Sequence, residues 1–275
     1  MTTVVPFNPD AVRWLIPLPW EGREHFRALA ERHGLGFEVM AFCSGPALND
    51  AGTRHERRKQ LKRELRGFAQ PLAFHGAFMD LALHSGDREI AAVSQKRILS
   101  DLEVASDLGC ERAIFHTGFN PHVPVPQYEE EFFHGHRDFW QEALAKHPAL
   151  TVCLENTYER EPSTLVGLAR AVAHPRLQLC FDAAHAQTYS AAAAERWIPQ
   201  LAQWLVHMHW NDNHGDGDTH LPVGEGIVPW LRIWTATLQL KTAPMITLEL
   251  ASIEALERSI RQLRALEIWK LPIAA

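Results

Sequence analysis

The runs Leu150-Thr-Val-Cys-Leu-Glu155-Asn156 and Leu177-Gln-Leu-Cys-Phe-Asp182-Ala183 flank an amphipathic segment of helical length, Ser163–His174. Parallel strands cannot be joined by a tight turn, so two β-rich runs separated by a helix read as one right-handed β–α–β crossover. The rhythm continues in both directions. Strand-like runs lie at Val12–Leu18, Gly36–Phe42, Leu72–Phe78 and Ala113–Phe119 on one side, and at Leu205–Trp210 and Met245–Leu250 on the other. The helical pattern recurs at Glu21–His33, His55–Phe68, Ile90–Leu108, Tyr128–Lys146, Ala191–Trp204, Trp230–Leu238 and Ile253–Leu266. Eight strands alternating with eight helices predict an α/β fold, a single (β/α)8 TIM barrel over residues 1–275, with its active site at the C-terminal ends of the strands.

Composition narrows the function classes. The 275-residue length would also suit two domains, but no linker, repeat or shift in composition divides the chain. No apolar run reaches the roughly 18 residues of a membrane span, so no membrane partner is expected. The start, Met-Thr-Thr-Val-Val-Pro-Phe-Asn, lacks a basic, signal-like pattern, which makes the cytoplasm the expected compartment. Cys43, Cys110, Cys153 and Cys180 are scattered and form neither a Cys-x-x-Cys motif nor a disulfide framework. A net charge of -6 argues against an electrostatically driven nucleic-acid binder. The one strongly basic helix, His55–Phe68, reads as a solvated outer face with Leu61, Leu65 and Phe68 packed on the sheet.

Metal-type residues recur where the strands end. The third strand ends in His75, the fourth in His116, the fifth in Glu155, the sixth in Asp182 followed by His185, the seventh in His209 and the eighth in Glu249. In a barrel these ends face one bowl. Each alone has a bland explanation, but six strands aiming a ligand-type side chain at one place favours a metal cluster, because such groups need a partner when buried. The loop after His209 adds the alternate pair Asp218 and His220. Imidazole and carboxylate without thiolate suit Zn2+, with Mn2+ or Fe2+ also compatible. Cys153 and Cys180 precede Glu155 and Asp182 by two residues and are expected to pack the barrel interior below them. His207 bears the same relation to His209 and reads as a buried, hydrogen-bonded histidine or an orienting neighbour. His134 and His136 are not a helical metal pair, since i and i+2 face different sides.

These residues resemble the xylose isomerase-like TIM barrels, in particular the AP endonuclease 2 family related to endonuclease IV. The resemblance rests on Phe-His75-Gly, Phe-His116-Thr-Gly, Leu-Glu155-Asn156, Phe-Asp182-Ala-Ala-His185, Met-His209-Trp-Asn-Asp, Asp218-Thr-His220 with Gly224-Glu-Gly226, and Leu-Glu249. It implies up to three zinc ions: one on His75, His116 and Glu155; a second on Glu155, Asp182, His209 and Glu249; a third on His185, Asp218 and His220. Glu155 and Glu249 are the expected catalytic carboxylates, and Phe78, Asn156 and Asn211 the expected substrate contacts. The nuclease loop carries cations, with arginine between its two ligands, whereas this chain has Asn213-His-Gly-Asp216-Gly-Asp218-Thr-His220. Aspartates there would repel a phosphate backbone, so duplex DNA is not the expected partner.

The leading expectation is therefore a metal-dependent hydrolase that uses metal-activated water on a small phosphoester- or sugar-containing substrate. The alternative is a sugar or sugar-phosphate isomerase or epimerase with one divalent metal on Glu155, Asp182, His209 and Glu249. A non-catalytic sugar- or metal-binding protein ranks third. The resemblance also allows a homodimer.

Overall fold

A computed structural model describes residues 7–269; the N-terminal segment read above for targeting lies largely outside them. Eight parallel strands close into a barrel in sequence order. They are β1 (Arg13–Leu18), β2 (Gly36–Val39), β3 (Leu72–His75), β4 (Arg112–His116), β5 (Thr151–Glu155), β6 (Leu177–Asp182), β7 (Leu205–Trp210) and β8 (Met245–Leu248). Ten α-helices surround it: α1 (Arg23–His33), α2 (Pro46–Asn49), α3 (Ala51–Glu64), α4 (Arg88–Leu108), α5 (Pro126–Lys146), α6 (Ser163–Val172), α7 (Ala183–Tyr189), α8 (Trp197–Leu201), α9 (Trp230–Thr237) and α10 (Ile253–Ala265).

The pleat sorts the strand residues into two cores. Residues facing outward, among them Phe37, Phe74, Phe115, Leu154, Phe181, Met208 and Ile246, pack under the helices. Inside the barrel Leu15, Ala73, Ile114, Cys153, Cys180 and Met245 form a small separate layer. Both cysteines lie below the strand-end residues, as the alternation predicts. Register then brings the next inward layer together: His116 pairs with Glu155, and Asp182 with His209.

Several strands end earlier than their β-rich runs suggest, β2, β3 and β4 by three residues each. The pattern continues to Phe42, Phe78 and Phe119, but β2, β3 and β4 stop at Val39, His75 and His116. Past those points Phe78 and Phe119 line the cleft above the barrel, while Phe42 turns into the outer core and stacks on Phe74. The run at Ala191–Trp204 contains only a 3-10 turn, Ala194–Arg196, and the short α8. α7 begins directly at the tip of β6 because the Asp182 carboxylate accepts from the His185 backbone N–H at 2.6 Å. Helix α3 starts at a cap of the same kind, where Asp50 accepts from Thr53 N–H at 2.6 Å. Its basic face is partly engaged: Arg58 and Lys62 pair with Asp107, and Arg54 pairs with the buried Asp101. Leu61 and Leu65 are buried, and Phe68 stacks on Phe37.

Candidate metal centre

Nine residues at the tips of β3 to β8 and in the loop after β7 meet in one bowl. Their ligand-type atoms form three groups, His75 with His116 and Glu155, Glu155 with Asp182, His209 and Glu249, and His185 with Asp218 and His220, while two further groups below them, Glu38 with His75 and His209 and Cys180 with His207 and His209, bring in residues under the bowl. Within each group these atoms lie no more than 4.8 Å apart. The first three groups coincide with the three sets implied by the resemblance, and Glu155 belongs to two of them.

Backbone hydrogen bonds set the direction of most of the imidazoles. His75 Nδ1 lies 2.9 Å from Gly76 O, His185 Nδ1 2.9 Å from Asn156 O, and His220 Nδ1 2.7 Å from Glu249 O. A proton on Nδ1 in each case leaves Nε2 as the free lone pair. His209 is turned the other way: its Nε2 meets Glu38 at 3.1 Å, so Nδ1 faces Glu155 Oε1 at 3.3 Å and Glu249 Oε2 at 3.2 Å. Glu38, on β2, is fully buried and accepts from Thr247 Oγ1 at 2.5 Å. His207 Nε2 lies 3.1 Å from the same carboxylate. His207 is thus a buried, hydrogen-bonded residue that also helps hold the carboxylate orienting His209.

Several buried atoms in the bowl have no hydrogen-bond partner: His75 Nε2, both carboxylate oxygens of Glu155, His209 Nδ1 and Glu249 Oε2. Leaving one such group unsatisfied costs about 1–3 kcal/mol, and more if it is charged. All of them belong to the first two groups, and a divalent cation would satisfy them together. The residues present therefore fit a metal.

Electrostatics within the bowl are strongly coupled. Burial pushes Asp182 up to about 6, against the pull of His185. Burial opposes a charged His75, but Glu155, Glu38 and Glu249 outweigh it and hold the imidazole at about 9. His116 goes the other way, to about 4, because burial dominates there. Glu155 is also fully buried, yet the facing His209 and His116 hold its carboxyl well below the usual range. Carboxylates and imidazoles in the bowl thus hold one another's charge, a part that a cation bound between them would take over.

The third group is built differently. Asp218 bridges His185 at 3.2 Å and His220 at 3.1 Å, and both Asp218 and His220 are partly open to solvent. Their loop is organised by the buried Asp212. Its carboxylate accepts from the backbone N–H groups of Gly224 at 2.8 Å and Val228 at 3.0 Å, and from Trp230 Nε1 at 2.8 Å. This explains the Gly224-Glu-Gly226 motif. Gly224 has φ +87°, and a Cβ on Gly226 would lie 2.3 Å from the Asp212 carboxylate and 2.1 Å from Asn213 O.

A cleft of about 1120 Å³ opens beside the cluster, reached by His116, His185 and Asp218 and walled by Phe78, Leu81, Phe119, Tyr158 and Tyr189. Phe78 packs 5.0 Å from His116 and 5.5 Å from His75 between ring centroids. The other two expected substrate contacts are buried, and their amides are engaged with Asp182. Asn156 spends its amide on the backbone of Asp182, donating to O and accepting from N at 2.9 Å each. Asn211 Nδ2 donates to the Asp182 carboxylate at 3.0 Å, and the residue is fully buried. Both hold Asp182 from behind. His122 borders the cleft, while His214 is exposed elsewhere on the loop.

The profile of the xylose isomerase-like TIM barrels matches residues 3–266. The chain belongs to that family. An uncharacterized protein of Methanocaldococcus jannaschii is 23% identical over 231 residues, covering 80% of this chain and 75% of that protein. The structure of the TTHB071 protein from Thermus thermophilus, soaked with ZnCl2, superposes with a TM-score of 0.72 at 29% identity, covering 93% of this chain and 97% of that one. A D-tagatose 3-epimerase-like protein superposes with a TM-score of 0.77 at 20% identity, covering 94% and 98%. No described helix of this family member is long and apolar enough to cross a membrane.

Proposed function

We infer that the protein is a metal-dependent isomerase or epimerase of a sugar or sugar derivative. The observation that carries this reading is the pair Glu155 and Glu249, whose carboxylates both approach His209 Nδ1, at 3.3 and 3.2 Å, within one group that also holds Asp182. Moving a proton off and back onto a carbon beside a carbonyl needs two acid–base groups in reach of that carbon. A divalent ion on Glu155, Asp182, His209 and Glu249 would polarise the carbonyl and stabilise the negative charge that develops there. Glu155 and Glu249 accept and return the proton, Glu38 and Thr247 fix the His209 ring, and Asn156 and Asn211 fix Asp182. The cleft, with aromatic faces and few cations, suits a sugar better than a polyanion. The epimerase-like name of a structural neighbour is in keeping with this and carries less weight, since 20% identity speaks to the fold.

A second reading, metal-assisted hydrolysis of a small phosphoester, is favoured by one observation. The His75/His116/Glu155 and His185/Asp218/His220 groups flank the central one and could hold two further ions, with zinc foremost and Mn2+ or Fe2+ as alternatives. Incubation with a panel of ketohexoses and ketopentoses in D2O tests the pair. Deuterium entering the carbon next to the carbonyl is the expected result. No exchange, together with release of phosphate from sugar phosphates, would replace the first reading by the second.

A further inference from the structure

We propose that Arg160 is an anion-reading residue at the rim of the cleft, receiving a phosphate or carboxylate carried by the substrate at a distance from its reacting carbon. This rests on the isomerase reading for the identity of the reacting end.

Arg160 lines the same cleft as His116, His185 and Asp218, on the side formed by Tyr158, Thr188 and Tyr189. The wall between it and the cluster is continuous: the Tyr158 and Tyr189 rings are 5.0 Å apart, and Tyr189 is 6.3 Å from His185. The root of Arg160 is fixed. Its carbonyl accepts from Ala191 N–H at 3.1 Å and from Ser190 Oγ at 2.8 Å, tying it to the segment after α7. The preceding Glu159 is buried, accepts from Thr157 N–H at 2.6 Å and takes a hydrogen bond from Thr117 Oγ1, next to His116. The loop from β5 is therefore pinned to the loops after both β4 and β6.

The guanidinium, in contrast, is uncommitted. Among the described residues Arg160 makes no ion pair and no side-chain hydrogen bond, whereas Arg13, Arg23, Arg54 and Arg58 each face a carboxylate. An exposed arginine on a mobile root would be an ordinary solvated charge. A rigid backbone holding a free planar fork beside a concave aromatic wall is preorganised to bind an oxyanion, and a charge-assisted contact of that kind raises affinity about 10-fold or more. The cleft also exceeds what a bare monosaccharide fills, which leaves room for such a group.

The test uses the full chain with its metal as purified and three probes that share a ketose and differ only at carbon six: D-fructose, D-fructose 6-phosphate and D-fructuronate. Calorimetric titration is expected to show one anion binding about 10-fold or more tighter than D-fructose. Arg160→Ala should reduce that preference to about 2-fold or less without changing D-fructose affinity or metal content, and Arg160→Lys should restore part of it. The favoured anion identifies phosphate or carboxylate. No preference for either anion, including no binding at all, overturns the proposal. So does a preference that persists in Arg160→Ala, since the metal centre would then hold the anion. An Arg160-dependent preference without deuterium exchange would sink the isomerase reading alone, and exchange on neutral ketoses without that preference would sink this one alone.

Discussion

The central group, Glu155, Asp182, His209 and Glu249, and the rim group, His185, Asp218 and His220, use the same side-chain types but are built by different means. The central residues project from strand tips that neighbouring strands hold in register, and His209 and Asp182 are backed by buried partners: Glu38 behind His209, Asn156 and Asn211 behind Asp182. Two of the three rim residues sit on a loop whose shape depends on one carboxylate, Asp212. Where β-pairing sets geometry, removing a ligand should damage chemistry more than fold. Where a loop sets it, removing the support should damage both.

The strongest way to break this contrast is Glu155→Gln, which removes charge from the residue common to two groups. Turnover should fall by about 1000-fold or more while the barrel's circular dichroism is retained; activity near wild type would remove Glu155 from the mechanism. Asp212→Ala should cost about 2–4 kcal/mol in urea denaturation and also loosen metal held by the rim group, because several buried donors lose their acceptor. Unchanged stability would mean that the loop is organised by something else. His220→Ala is subtler. Metal analysis should show the loss of about one ion per chain from a fully loaded protein, with the central ion retained. Equal loss from both groups would contradict their independence.

Acid sensitivity can be separated from the centre through His136 on α5. It is buried, accepts from Trp140 Nε1 at 3.1 Å, and is held neutral by burial, with its pKa lowered to about 3. Because the unfolded chain protonates it near 6.5, its contribution is complete above that pH and is lost as pH falls towards 3, by up to about 1.4 kcal/mol per pH unit. His136→Asn, which keeps an acceptor for Trp140, should flatten that part of the stability profile without changing metal content. The smallest effect is expected of Phe78→Ala, about a 5-fold rise in KM with little change in kcat, since the ring walls the cleft.

The barrel and the six strand-tip residues His75, His116, Glu155, Asp182, His209 and Glu249 are legible because both follow a period, whereas His185, Asp218 and His220 stand out by their residue types and by the family resemblance. The alternation of two along a strand marks the inward side, and a charged or imidazole residue at its last inward position is conspicuous. Glu38 was missed although it obeys the same rule, since the run Gly36–Phe42 reads as one long strand and hides the true end at Val39. A carboxylate between Phe37 and Val39 was the available signal. Asp212, Glu159 and Arg160 carry no such mark: loops have no period, and their partners lie up to 42 residues away in sequence, as for Thr117 and Glu159. Asn156 and Asn211 stand out in the sequence because they adjoin ligand-type residues, and in the structure both support Asp182.

The reversed ring of His209 bears on how the site can be edited. An asparagine amide reaches about as far as imidazole Nδ1, and a glutamine amide about as far as Nε2. Histidine-to-glutamine exchange is accordingly the shape-preserving change at His75, His185 and His220, while at His209 it is histidine-to-asparagine. A single substitution scheme applied to all of them would compare unlike changes. Pairing each histidine with its own isostere would let activity report on the donor atom itself.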